Sequence, residues 1–182
     1  MKTAGIVLAG GKSLRMGEDK ALLRWQGRPL IERQLRLLQS LKLDEAFIAG
    51  THPGYPHIPD TKPFSGPLSA LAHMMRRFAI DTRVVVVPVD MPLLEAPHLQ
   101  RLLNHPSPLV AYRSHPLPLA FTVLPETARL FASRIEQNQL SLKGLWDAVT
   151  NAAWIEEEGP FLVNTNTPTE WQELITQQEV PV

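Results

Sequence analysis

A glycine-rich segment that directly follows a short apolar run constrains this chain more than any other feature. The apolar run is Ala4 to Leu8, and residues 8–20 read Leu-Ala-Gly-Gly-Lys-Ser-Leu-Arg-Met-Gly-Glu-Asp-Lys. The run predicts a buried first β-strand, with the paired glycines just beyond its carboxyl end. Open α/β sheets bind their ligands at that end of the strands. The segment therefore predicts a phosphate-binding loop in an α/β fold.

The residue types in this segment suit a triphosphate. Gly10 and Gly11 allow the backbone to approach a ligand closely and to direct amide N–H groups at phosphate oxygens. Lys12, Arg15 and Lys20 supply cations that neutralise phosphate charge. The alternative is a loop that carries charged side chains but binds no ligand. That alternative does not explain why Arg15 and Lys20 flank a glycine-rich turn.

Two familiar nucleotide-binding motifs do not fit this segment. A Walker A loop needs a glycine five positions before Gly11, but that position is Ile6, and Gly5 lies one residue too far away. The dinucleotide-binding pattern Gly-x-Gly-x-x-Gly also fails, because the glycines at 10, 11 and 17 have the wrong spacing. The segment is therefore expected to be a phosphate-binding loop of another class.

Composition narrows the function further. The chain has 182 residues, of which 44% are apolar, so we expect one sizeable core and a single domain spanning residues 1–182. Its formal net charge of zero argues against general binding to nucleic acid or to anionic membranes. No apolar run approaches the roughly 18 residues of a membrane span. The absence of cysteine excludes disulfides and fits a cytoplasmic protein.

Strand and helix patterns alternate along the chain. The four consecutive valines in Arg83 to Val89 are typical of a parallel strand that is buried on both faces. The alternation predicts an α/β fold, with a mostly parallel sheet and helices on both faces. Right-handed crossovers would then bring the carboxyl ends of the strands to one edge. We predict strands at 4–8, 45–49, 83–89, 109–112, 119–124, 153–156 and 161–163, and helices at 29–41, 67–78, 95–104, 126–137, 141–149 and 169–178.

A carboxylate is expected at that edge. Asp90 follows the valine-rich strand and precedes Met91 and Pro92. A carboxylate in this position can hold Mg²⁺ against phosphate oxygens. The alternative is that Asp90 only caps the turn before the next helix.

Residues 8–20 closely resemble the signature of the nucleotidyltransferase superfamily, Leu-Ala-Gly-Gly-x-Ser-x-Arg-Met-Gly-x-Asp-Lys. The Ala-Gly-Gly form is most similar to the molybdenum cofactor guanylyltransferase family, whereas related cytidylyltransferases and sugar-phosphate enzymes more often carry Ala-Ala-Gly. The resemblance implies a Rossmann-like nucleotidyltransferase fold. It also implies that GMP is transferred from GTP to the molybdopterin form of the molybdenum cofactor, which yields the guanine dinucleotide cofactor and pyrophosphate.

The resemblance also implies roles for individual residues. The catalytic residues would be Arg15, Lys20 and Asp90, with Asp90 holding Mg²⁺. The nucleotide would be bound by Leu8, Ala9, Gly10, Gly11, Lys20, Asp60, Gly66 and Asp90. Asn164 and Asn166, in a late Asn-x-Asn-Thr-Pro element, would contact the acceptor or a phosphate. Two alternatives stay open: Asp60 is an ordinary loop residue, and the asparagine element forms a turn and helix N-cap.

One departure from the family pattern bears on the base. The family often carries Asn after its second strand, near the guanine edge, but residues 49–52 here are Ala-Gly-Thr-His. Either backbone groups read guanine, or the preferred base is different.

Two other functions therefore remain open. One is a nucleotidyltransferase with another substrate pair, such as CTP with molybdopterin or an NTP with a sugar phosphate. The other is a non-catalytic GTP-binding adaptor. Transient contact with other cofactor-biosynthesis proteins is also expected.

Overall fold

The structure is a computed structural model that describes residues 1–9, 19–59, 66–113, 115–157 and 159–179. Strands and helices alternate along these residues. The strands are β1 (Thr3–Leu8), β2 (Arg24–Trp25), β3 (Arg28–Pro29), β4 (Glu45–Ala49), β5 (His57–Ile58), β6 (Arg83–Pro88), β7 (Leu109–Tyr112), β8 (His115–Thr122) and β9 (Ala153–Ile155). The helices are α1 (Leu30–Ser40), α2 (Pro67–Met75), α3 (Ala96–Leu103), α4 (Pro125–Glu136) and α5 (Pro168–Glu179). Short 3₁₀ turns occupy Lys20–Leu22, Lys143–Leu145 and Pro160–Leu162.

Seven of the described strands form one sheet in the order β5-β4-β1-β6-β8-β7-β9. β8 is antiparallel to both of its neighbours, and the other pairings in this sheet are parallel. The predicted mostly parallel sheet is therefore confirmed. The carboxyl ends of the parallel strands and the amino end of β8 meet at one edge, which we call the C-terminal rim. β2 and β3 form a separate two-stranded ribbon.

Both faces of the sheet are covered by helices, as predicted. Side chains alternate between the two faces along a strand. Val7 and Val85 accordingly pack with α1, α3 and α5, whereas Ile6 and Val84 pack with α2 and α4. All four side chains are fully buried, and burial of each stabilises the fold by roughly 1.5–3 kcal/mol. The central strands β1 and β6 are thus held firmly, and they carry the residues that lie just beyond them at the rim.

Two predicted elements are wrong. The predicted helix at 141–149 is only a 3₁₀ turn followed by further turns, because tertiary contacts override its apolar pattern. Trp146 stacks on Trp154 with ring centroids 4.2 Å apart, and its Nε1 donates to the carbonyl oxygen of Ala153 at 2.9 Å. The predicted strand at 161–163 is also a 3₁₀ turn, which begins at Pro160, a residue with no N–H to donate to a sheet.

The other predicted elements of the main sheet and its helices are confirmed within a few residues at each end. The largest shift is in β8, which begins at His115 rather than at residue 119. This early part of β8 contains Pro116 and Pro118 and lies before its pairing with β6, which starts at Leu119 opposite Val86. Prolines are tolerated where a strand is not paired on both sides. Within the described ranges, we find no helix with the length and hydrophobicity needed for a membrane crossing.

Candidate active site

The ends of β1 and β6 lie side by side at the C-terminal rim. Leu8, the last residue of β1, is buried between Ala49 of β4 and Pro88 of β6. The carbonyl oxygen of Leu8 accepts a hydrogen bond of 3.1 Å from the backbone N–H of Val89. Ala9 therefore leaves the sheet next to the segment that carries Asp90. The predicted proximity of these two parts of the sequence is confirmed.

Lys20, Asp90 and Asn166 form a polar cluster at this rim. The Lys20 Nζ donates to Asn166 Oδ1 at 2.8 Å and lies 3.4 Å from Asp90 Oδ2. The side chains of Lys20 and Asp90 are 17% and 19% exposed, so they are largely shielded but still reachable from solvent. Asp90 and Asn166 lie 70 and 146 positions after Lys20 in the chain, and both contact its ammonium group. We call this group the rim cluster.

Local structure fixes the position of Lys20. It opens a 3₁₀ turn whose N-cap is Asp19, and Asp19 Oδ1 accepts from the backbone N–H of Ala21 at 3.0 Å. Ala21 is fully buried in the core with Leu30 of α1, which anchors the turn to the fold. The carbonyl oxygen of Leu23 also accepts from the N–H of Leu30 at 2.8 Å. The ammonium group therefore extends from an anchored turn.

Two residues of α1 hold the loop that follows Asp90. The Nε2 of the fully buried Gln34 donates to the carbonyl oxygen of Met91 at 2.7 Å. Arg33 donates from Nε to the carbonyl oxygen of Pro92 at 2.6 Å, and from Nη2 to that of Leu94 at 3.3 Å. Burial lowers the pKa of Arg33, and the nearby Glu95 carboxylate opposes this effect. These bonds restrict the backbone on the carboxyl side of Asp90.

The loop before α5 is bonded to Asp90 from the other side. Thr165, which is 1% exposed, donates to the carbonyl oxygen of Asp90 from its backbone N–H at 3.0 Å and from Oγ1 at 3.3 Å. This places Asn166 against Lys20 and leaves Asn164 exposed two residues earlier. Both asparagines therefore lie at the rim, and of the two only Asn166 contacts Lys20 in the described structure.

A capping box closes this loop. Thr167 Oγ1 accepts from the backbone N–H of Glu170 at 3.2 Å, while Glu170 Oε2 accepts from the N–H groups of Asn166 at 2.6 Å and Thr167 at 3.0 Å. The backbone hydrogen bond from Asn166 is the main reason that the pKa of Glu170 is lowered, and Lys20 adds a smaller favourable charge. The helix-cap alternative for this element is therefore present, together with the contact between Asn166 and Lys20.

Gly66 lies at the N-cap of α2 with φ +87° and ψ 167°. That φ is favourable only for glycine. A Cβ built on Gly66 would have no neighbour within 4 Å, so open space lies beside this backbone. The geometry is compatible with the predicted close approach of a ligand.

Some of the predicted site residues lie outside the described residues. They are Gly10, Gly11, Lys12, Arg15 and Asp60. Their proposed roles stay predictions. Leu8, Ala9, Lys20, Asp90 and the two asparagines are described, and they lie along the same rim.

Sequence reasoning missed several residues that support this site. Thr167 and Glu170 carry the pattern Thr-x-x-Glu directly before an apolar helix, which is a readable signal for a capping box. Gln34 was also detectable in principle, because it is a polar residue on the apolar face of α1 between Ile31 and Leu38. Nothing in the sequence indicates that its partner is the backbone of Met91, 57 residues away.

The donor set suits a hard divalent cation. Asp90 offers a carboxylate, and Asn166 an amide oxygen, which are ligand types that Mg²⁺ and Mn²⁺ accept. In the part of the chain that the structure describes, no group of three or more His, Asp or Glu residues forms a closed metal site.

The fold and the rim cluster together define a class of protein. A mostly parallel, Rossmann-like sheet presents a lysine, an aspartate and an asparagine beside the strand that precedes the glycine-rich segment of the sequence. These features, together with the sequence of residues 8–20, are those of a nucleotidyltransferase.

Comparison with known proteins identifies the family. The profile of the MobA-like NTP transferase domain matches residues 5–153. A molybdenum cofactor guanylyltransferase of Xanthomonas euvesicatoria pv. vesicatoria (strain 85-10) is 42% identical, over 94% of this chain and 93% of that protein. The chain belongs to the MobA-like family of nucleotidyltransferases, and the resemblance found at residues 8–20 is confirmed.

Solved structures confirm the fold. The molybdopterin-guanine dinucleotide biosynthesis protein A of Archaeoglobus fulgidus superposes with a TM-score of 0.75 at 18% identity, covering 96% of this chain and 99% of that one. Rv0371c of Mycobacterium tuberculosis H37Rv, solved in complex with manganese, gives a TM-score of 0.67 at 16% identity and covers 99% of this chain and 100% of that one.

Proposed function

We propose that this protein transfers GMP from GTP to the molybdopterin form of the molybdenum cofactor, producing the guanine dinucleotide cofactor and pyrophosphate. The observation that carries the proposal is the rim cluster, in which Lys20 bonds to both Asp90 and Asn166 beside the end of β1. The named activity of the relative from Xanthomonas supports the choice of GTP and molybdopterin.

The reaction asks the protein mainly for positioning and charge neutralisation. A phosphate oxygen of the acceptor attacks the α-phosphorus of GTP, and the bond from that phosphorus to the bridging oxygen breaks as pyrophosphate leaves. The nucleophile is already an anion, so no side-chain base is required. Lys20 would neutralise charge that develops on the phosphates. Holding the two substrates in line supplies much of the remaining rate enhancement.

The proposed cofactor is Mg²⁺. Asp90 would hold the cation. The amide oxygen of Asn166 accepts from the Lys20 ammonium group, and it would also be able to accept from a water bound to the cation. When bound, the cation would neutralise phosphate charge. Because Lys20 and Asp90 are paired here, arrival of a phosphate would exchange the Lys20–Asp90 contact for contacts with the ligand.

Base selection is the least constrained part of the proposal. Gly50 follows β4 where relatives often have Asn, and its N–H is already bonded to the carbonyl oxygen of Ile58 at 2.9 Å. Ala49 and Gly50 are both buried, whereas Thr51 is exposed. Guanine would therefore have to be read by other groups, and CTP or another nucleotide is the main rival.

The first test is isothermal titration of the protein with GTP, CTP and ATP, with and without Mg²⁺. We expect GTP to bind in preference to the others and Mg²⁺ to strengthen that binding. Pyrophosphate release with molybdopterin would then establish transfer. A preference for CTP or ATP would contradict the guanine assignment but keep the nucleotidyltransferase. GTP binding without pyrophosphate release in the presence of the acceptor would favour the non-catalytic adaptor.

The proposal also covers the domain organisation, the cellular location and the protein partners. We place residues 1–182 in one domain, and the apolar contacts of α5 with the core support this, since Trp171 lies 5.7 Å from Trp25 between ring centroids. We place the protein in the cytoplasm, where GTP is supplied. Transient contacts with other proteins of cofactor biosynthesis are also proposed, because the pterin acceptor is chemically fragile.

A further inference from the structure

A cleft opens at the C-terminal rim, beside the rim cluster. It has a volume of about 460 Å³ and is lined by residues that include Arg113, His115, Glu156, Leu162, Val163 and Asn164. These residues come from the turn between β7 and β8, the start of β8, the position after β9, and the 3₁₀ turn and loop before α5. We call this space the β7–β9 cleft.

The β7–β9 cleft and the rim cluster share one loop. Asn164 lines the cleft, and two residues later Asn166 bonds to Lys20. Thr165, between them, is fixed to the carbonyl oxygen of Asp90. A molecule in the cleft would therefore lie next to the phosphates bound by the rim cluster.

The position of the cleft in the sheet separates it from the proposed nucleotide residues. Asp90 follows the central strand β6. Leu8 ends β1, which pairs with β4 on one side of β6, whereas the cleft lies on the side of β7 and β9. The proposed reaction needs two substrates that meet at Asp90, so the cleft is where the second one fits.

The walls of the cleft combine opposite charges with apolar surface. The Nε of Arg113 is bonded to Oε1 of Glu156, and these side chains are 60% and 68% exposed. Among the described residues, neither side chain has a second hydrogen-bond partner, so the terminal nitrogens of Arg113 and the Oε2 of Glu156 remain to bind a ligand. Val163 is 44% exposed, which is uncommon for a large apolar side chain in this structure.

We infer that Arg113 and Glu156 read the pyrimidine edge of the acceptor's pterin. That edge presents O4 as an acceptor beside N3–H and the 2-amino group as donors. A guanidinium supplies donors for O4, and a carboxylate accepts from two parallel N–H groups. Val163 and Leu162 give the flat ring an apolar surface. The inference rests on the proposed function, because it takes the acceptor to be a pterin.

Guanine carries the same acceptor-donor-donor edge, so the chemistry alone fits either substrate. The location of the cleft decides for the pterin, since Arg113 and Glu156 lie across β6 from Leu8 and the glycine-rich segment that follows it in the sequence. The pair is therefore assigned to the acceptor, and the guanine base of GTP is the rival that the experiment must separate.

The test measures binding of neopterin, a stable fluorescent pterin, and of GTP with Mg²⁺ to the full chain. Glu156→Gln replaces one carboxylate oxygen with a donor at constant size. We expect it to weaken neopterin binding about tenfold or more, the usual effect of losing a charge-assisted hydrogen bond. Arg113→Met should weaken the same ligand, and neither variant should change GTP binding. Lumazine, which has a 2-oxo group in place of the 2-amino donor, should bind weakly to the wild-type chain.

The matched control is Glu32→Gln, which breaks the exposed Arg36–Glu32 pair on α1. It should leave both affinities unchanged. Neopterin binding that is absent in the wild-type chain, or unchanged in both cleft variants, would overturn the inference. Weaker GTP binding with unchanged neopterin binding would assign the pair to guanine and also overturn it. Absence of GTP binding by the wild-type chain would instead contradict the proposed function, whatever neopterin does.

Discussion

The two ends of β6 carry charged residues in opposite situations. Arg83, the first residue of the strand, is 2% exposed. Its guanidinium donates at 2.8–3.1 Å to four oxygens, which belong to Leu102, His105, Ser107 and Thr122. Asp90, two residues beyond the other end, has a side chain that is 19% exposed and lies 3.4 Å from the ammonium group of Lys20.

The difference separates a charge that holds the fold from one that is available for chemistry. Burial lowers the pKa of Arg83 to about 10, so it is still a cation at neutral pH, and its acceptors are carbonyl or hydroxyl groups of the fold itself. The Lys20–Asp90 contact is longer and reachable from solvent. Phosphates or a cation can therefore replace it at little cost. Changes at the two ends should affect different measurements.

The largest effect is expected at the rim cluster. Lys20→Ala and Asp90→Ala should each lower the turnover number about 100- to 1,000-fold, because each removes a charge that the proposed reaction needs. The measurement is pyrophosphate release with saturating GTP and molybdopterin. Thermal unfolding should change little, since both side chains are partly exposed.

Gln172→Ala is the matched control for this prediction, because it truncates an exposed polar residue of α5 that belongs to neither the rim cluster nor the lining of the β7–β9 cleft. It should cost much less turnover than either rim variant. Near-wild-type turnover of Lys20→Ala or Asp90→Ala would show that the rim cluster does not carry the reaction.

At the other end of β6, stability should fall rather than turnover. Arg83→Met should lower the free energy of unfolding by about 3 kcal/mol, because buried carbonyl oxygens lose their charged donor. Urea denaturation measures this change, and turnover per folded molecule should be preserved. Arg36→Met, which breaks an exposed pair with Glu32, should cost less than about 0.5 kcal/mol. Equal losses for the two variants would remove the distinction between a buried charge and a surface one.

The sequence predicts the strands and helices of this protein better than the side-chain contacts that hold the site in place. Four consecutive valines in β6 and the glycine-rich segment after β1 are local patterns, and each implies one structural role. They were enough to predict the sheet, the helices on both faces and the position of Asp90. The same logic failed at 141–149, where Trp146 bonds and stacks with residues beyond the segment.

The contacts that hold the site could not be predicted for a related reason. Gln34 bonds to a backbone carbonyl 57 residues away, and Arg83 collects four acceptors from three different segments. Partners of this kind depend on how the elements pack, which a single sequence does not encode in any local pattern. The charged pair Arg113–Glu156 is equally remote in sequence, since it joins residues 43 positions apart.

The smallest effect is expected at Glu170, because its side chain supports the rim cluster but is not part of it. Its carboxylate caps the loop that carries Asn166. Glu170→Ala should lower turnover about fivefold, because the loop that places Asn166 against Lys20 loses its cap. The hydrogen bond from Asn166 lowers the pKa of Glu170 below its ordinary value of 4.5 in the folded chain.

The sign of this shift sets the pH dependence. A carboxyl whose pKa is lowered by folding stabilises the fold fully above its unfolded pKa and loses that effect as pH falls through the folded pKa. The difference in melting temperature between wild type and Glu170→Ala should thus be constant from pH 7 to about pH 5 and should shrink below about pH 4. Glu173→Ala removes an exposed carboxylate from the same helix and should show no such difference. A gap between wild type and Glu170→Ala that persists at pH 3 would mean that the carboxylate charge does not hold the Asn166 loop.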